Sequence, residues 1–68
     1  MDVETPLPVG TLILLSNDPG LRKEARNTVG VVTTYQHDAD LGWMHCLLVC
    51  GDFVWARECD LGEVVQWG

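Results

Sequence analysis

Turn-forming residues punctuate this chain, and the stretches beside them are short and mostly β-branched, aromatic or aliphatic. Ser16-Asn17-Asp18-Pro19-Gly20, the polar run from Gln36 to Gly42 and the Gly51-Asp52 pair are all breakers. The strand-like runs 9–15, 28–35, 43–50, 53–56 and 63–67 are four to eight residues long and rich in β-branched, aromatic and aliphatic side chains, and the helix formers of 21–27 number only seven residues. An isolated helix needs about 12–15 residues to be even marginal in water. The chain is therefore restricted to short strands.

Residues 1–8 hold Pro6-Leu7-Pro8 and read as an extended lead-in, because two prolines disfavour helix and lack two backbone donors. Residues 9–68 read as one domain. Val9 to Leu15 is the first strand. Leu21 to Asn27 is a loop with at most one helical turn. Thr28 to Tyr35 is the clearest strand, β-branched throughout except for Gly30 and Tyr35, and Gly30 marks a bulge or a close backbone approach. Gln36 to Gly42 is a hairpin loop, Trp43 to Cys50 a third strand, Gly51-Asp52 a tight turn and Phe53 to Ala56 a fourth strand. Arg57 to Leu61 suits a single 3₁₀ turn, and Glu63 to Trp67 a fifth strand. The expected fold class is all-β, a small five-stranded barrel or sandwich, with a closed barrel favoured because closure hides exposed sheet edges.

At 68 residues the chain buries only about 60% of the surface its unfolded form exposes, so stability is marginal unless a second chain contributes. Ten acidic against four basic residues give a net charge of −6, and from Asn27 onward six acids face only Arg57. That balance opposes general binding to a phosphate backbone. The exception is the basic patch Arg22, Lys23 and Arg26, which would supply any nucleic-acid contact. The odd count of three cysteines opposes a disulfide framework, and the first residues lack the basic start and apolar stretch of a secretory signal. No apolar run approaches the roughly 20 residues of a membrane span. A cytoplasmic setting is expected.

The element order and its corner residues resemble the small SH3-like β-barrels, especially the KOW-like and Tudor-like forms and the short SH3-like proteins of tailed bacteriophages. Val9-Gly10 with Leu12-Ile13-Leu14-Leu15 resembles their opening strand. Gly30-Val31-Val32 resembles the start of their second strand. Gly51-Asp52, Trp55 and Asp60-Leu61-Gly62-Glu63-Val64-Val65 resemble their closing elements, in which a 3₁₀ turn leads into the last strand. The resemblance covers about residues 9–65 and implies a five-stranded SH3-like barrel acting as a binding module. Thr11, Gly62 and Cys50 depart from the pattern. Residues 16–28 hold no aromatic, so the groove with which SH3 domains bind proline-rich peptides is not expected.

Chemistry-bearing constellations are few. His45, Cys46, Cys50 and Cys59 are zinc-binding residue types, but in a strand Cys46 and Cys50 stand roughly 13 Å apart, far beyond a shared ion. His45 and Cys46 point to opposite faces, which removes them as a nucleophile and base pair. No catalytic residue, metal or cofactor is expected. His37-Asp38-Ala39-Asp40 reads as a solvated hairpin tip. Three tryptophans in so short a chain are more than its core can hide, and Trp67 is the one most expected at the surface. The candidate partner-binding residues are Tyr35, Trp43, Trp55, Trp67, Asp38 and Asp40, in a non-enzymatic module that binds a protein or a second copy of itself. An alternative is an acidic mimic occupying a basic groove through Asp38, Asp40, Asp52, Glu58, Asp60 and Glu63.

Overall fold

The computed structural model describes residues 4–68; positions 1–3 of the proline-bearing lead-in lie outside it. The strands are β1 (Leu12–Leu15), β2 (Val29–Asp38), β3 (Gly42–Val49), β4 (Asp52–Ala56) and β5 (Leu61–Gln66), with a long loop between β1 and β2 and short connections elsewhere. A 3₁₀ turn at Glu58–Asp60 precedes the last strand. All neighbouring strands pair antiparallel in one sheet, in the order β4-β3-β2-β1-β5. The sheet is open, with β4 and β5 at its two edges. No helix among the described residues is long and apolar enough to cross a membrane.

The strands differ in extent from the sequence reading for local reasons. β1 starts at Leu12, because Gly10 takes a φ of 94° in a turn where the Thr11 N–H donates to the Pro8 carbonyl. The expected loop at 36–42 is mostly strand: pairing continues through Gln36, His37 and Asp38 against Met44, Trp43 and Gly42. Asp38 makes this tight closure, its Oδ1 accepting the N–H groups of Asp40 and Leu41 at 2.8 and 2.9 Å. The next hairpin turns at Cys50-Gly51, one residue earlier than the sequence suggested. Both adopt positive φ, 50° and 84°, as a two-residue turn with the strands' own twist requires.

One face of the sheet holds the core. Ile13, Leu15, Val32, Leu47, Val49, Val54 and Ala56 point into it. Their cover comes largely from outside the first four strands: Leu7 from the lead-in, Leu21 and Ala25 from the loop before β2, and Leu61 at the start of β5. Gly30 makes the close approach its residue type implied. A Cβ there would lie 2.8 Å from Val49 Cγ2 and 3.1 Å from Leu47 Cβ. Arg57 clamps the long loop over this core, with Nη2 at 3.0 Å from both Asp18 Oδ1 and Asp60 Oδ1.

Candidate functional site

Residues directly opposite one another in an antiparallel ladder share a face, and successive residues alternate. The register therefore maps the outer face. One row crosses the whole sheet: Gln66, Leu12, Val31, Leu48 and Phe53. The next outer row is Thr34, Cys46 and Trp55, and then come Gln36 and Met44. Leu14 opposite Val29 adds a further apolar pair. This face is uncovered where it is most apolar. Phe53 is 64% exposed, Trp55 48% and Val29 46%, while Leu12, Val31, Leu48 and Met44 are half-buried.

A bulge decides which aromatic side chains reach that face. Pairing runs Val32 to Leu47 and then Thr34 to Cys46, so Thr33 is an extra residue, its Oγ1 donating to the Cys46 carbonyl at 2.9 Å. Without it, alternation from Val32 would send Tyr35 outward. With it, Tyr35 and His37 join the inward-side row positions of His45 and Trp43. The rings of Tyr35 and Trp43 meet edge to face at 5.7 Å, and those of His37 and Trp43 at 5.0 Å.

The six partner-binding candidates thus divide. Tyr35 and Trp43 come together on the inner side of the β2–β3 hairpin, where the Trp43 indole N–H also donates to the Glu4 carbonyl. Trp67 stands apart and is 64% exposed, beside the Gly68 N–H that donates to Thr11 Oγ1. Asp40 lies exposed in the 39–41 turn. Asp38 and Trp55 belong to one cleft. With Gln36, Leu41 and Met44 they line an open cleft of about 290 Å³ at the outer end of the β2–β3 hairpin. Leu48 and, at the edge of the same row, Phe53 were not among the partner-binding candidates read from the sequence. Their signal was the apolar residue at both odd and even positions of 47–49 and 53–54.

Asp38 is held in its ionised form by its turn. The N–H of Leu41 and then that of Asp40 hold its carboxyl below the usual carboxylate value, against a small opposing effect of burial. None of the five cleft residues is basic.

Compared with known proteins, the chain matches no protein-family model, no curated protein and no solved structure.

The other constellations are engaged elsewhere. Asp18, Cys59 and Asp60 bring ligand atoms within 4.8 Å of one another, a cluster that sequence spacing did not indicate. Arg57 holds both of its carboxylates. Its Nε also donates to Asp60 Oδ2 at 3.1 Å, and its backbone N–H to the same oxygen at 2.9 Å. Burial pushes the Asp60 carboxyl up, but these bonds and the Arg57 charge outweigh it and leave the group low; the Arg57 guanidinium is raised by the same pairing. Asp60 is thus a buried structural anion, not part of an acidic face.

In the basic patch, Arg22 and Lys23 are exposed, whereas Arg26 braces its own loop by donating to the Leu21 and Pro19 carbonyls. His45 and Cys46 occupy opposite faces, both buried. His45 is 0% exposed; its Nε2 accepts the Leu7 N–H at 2.9 Å, while Nδ1 has no hydrogen-bond partner. Burial lowers its pKa, only partly opposed by Glu58, so it is a neutral anchor for the lead-in.

Proposed function

We propose that the protein is a non-enzymatic interaction module of SH3-like barrel type, akin to the short SH3-like proteins of tailed bacteriophages, that docks a protein partner or a second copy of itself. Its docking surface is the outer face of the sheet. The observation that carries the reading is the uncovered apolar row Leu12, Val31, Leu48 and Phe53 with Trp55 beside it. Aromatic rings bury about 150–250 Å² each when covered, so Phe53 and Trp55 alone leave on the order of 200 Å² for a partner. With their half-buried neighbours the patch reaches the few hundred Å² at which surface patches are commonly functional. The strand order and the 3₁₀ turn before β5 support the barrel type. A non-enzymatic role is supported by the divergence of His45 and Cys46 and by the neutralisation of Asp18 and Asp60.

Light scattering on size-exclusion fractions over a wide concentration range tests self-association. The expected result is a larger species at high concentration that Phe53→Glu abolishes; a monomer throughout removes the second copy as partner. Affinity capture with the native chain and with Phe53→Glu as baits then tests the face itself. A partner retained by the native chain and lost from the variant supports it, and identical captures from both overturn it.

A further inference from the structure

The outer face carries one charged side chain at a position where charge has a shape around it. Asp38 closes the β2–β3 turn with Oδ1, which is occupied by two backbone N–H groups. Its carboxylate therefore stays in place as a fixed anion at the wall of the 290 Å³ cleft. The remaining lining is a half-exposed tryptophan, the aliphatic side chains of Leu41 and Met44, and the Gln36 amide. An anion, an aromatic ring and an apolar wall together suit a group that is a cation at its tip and hydrocarbon along its stem. Lysine and arginine side chains have that form. Indole rings attract such cations through the ring quadrupole.

Resting on the reading that this face docks a protein, we propose that the cleft between Asp38 and Trp55 receives a lysine or arginine side chain of the partner. The apolar row beside it then packs against apolar residues that flank that side chain. The net charge of −6 favours the same kind of partner by steering a basic segment toward the molecule. The cation sets which apolar segment is accepted, because an apolar partner without it leaves the Asp38 charge partly desolvated and unpaired.

Three capped tripeptides test this: Leu-Lys-Leu, Leu-Arg-Leu and the same sequence with norleucine at the centre. Each is titrated into the nitrogen-labelled full chain while the Trp55 indole N–H is followed by NMR. The lysine and arginine peptides should shift that signal saturably and bind about tenfold more tightly than the norleucine peptide, the combined effect expected of one screened ion pair and one cation–π contact. Added salt should weaken them. Asp38→Asn retains an Oδ1 acceptor for the Asp40 and Leu41 N–H groups, so the turn persists while the preference for the cation should fall to about threefold, the share of the Trp55 ring.

Equal binding of norleucine, or a preference undiminished by Asp38→Asn, overturns the proposal. So does saturation by spermine where the peptides fail, which would make the cleft a site for a free polyamine. A Trp55 signal that moves only with the protein's own concentration would assign the cleft to a second copy and overturn it too. If Phe53→Glu still abolishes partner binding while the cation preference is absent, the docking face stands without this cleft; if neither variant has an effect, both fall.

Discussion

Leu47 and Leu48 are the same residue at adjacent positions of one strand, and they lead different lives. Leu47 is fully buried among Val32, Val54 and the other inward residues, whereas Leu48 lies in the outer row beside exposed Phe53. The two faces of the sheet are of similar apolar character. What separates them is cover: Leu7, Leu21, Ala25 and Leu61 close over the inner face, whereas on the outer one Phe53, Trp55 and Val29 stay exposed. Antiparallel sheets with one wet face ordinarily mark it with polar residues. Here that mark is missing over the centre of the outer face, which is the physical ground for assigning it a partner.

The sharpest way to break the contrast is to truncate both leucines. Leu47→Ala should cost about 3 kcal/mol, the usual range for a fully buried leucine. Leu48→Ala should cost under about 1 kcal/mol in the isolated chain, since much less surface and no closed cavity is involved. Urea unfolding followed by tryptophan fluorescence measures both; equal losses would mean the outer face is already covered.

Overfilling the inner face comes next. At Gly30 an added Cβ meets Val49 and Leu47 inside normal contact distance, so Gly30→Ala should destabilise by about 2 kcal/mol. The same unfolding curve would show no loss if the core is loose there.

A smaller effect distinguishes the faces by pH. His45 belongs to the inner side, and its folded pKa lies below the ordinary 6.5. Below about pH 6.5 the unfolded chain binds a proton that the folded chain excludes, so stability falls as pH drops from there toward the folded value. Asp60 acts in the same sense at lower pH: its folded pKa is below 3.8, so its contribution is full above that value and lost on further acidification. His45→Gln should flatten the profile between pH 7 and 5, with Gln able to accept the Leu7 N–H. An unchanged slope would place the proton elsewhere.

The smallest expected change in stability is at the outer rim. Phe53→Ser should stay within about 0.5 kcal/mol of the native chain, as exposed substitutions generally do. Its effect should appear in association, as a shift to smaller species in light scattering at high concentration. A large loss of stability with no change in association would make Phe53 a core residue after all.

The sequence alone determined the all-β class and nearly every element, because turn residues at 16–20, 42 and 51 separate runs whose β-branched, aromatic and aliphatic composition suits short strands. It also carried the 3₁₀ turn before the last strand and the separation of His45 from Cys46, both consequences of local spacing. The tertiary structure decided which apolar residues face inward. In β3 and β4 apolar side chains occupy both parities, so periodicity is silent about sides, and the extra residue at Thr33 reverses the side expected for Tyr35. That Asp38 and Trp55 line one cleft was equally out of reach, since it joins positions 17 residues apart across three strands whose register only pairing fixes. Sidedness is set by contacts distant in the chain, and a local pattern holds no record of them.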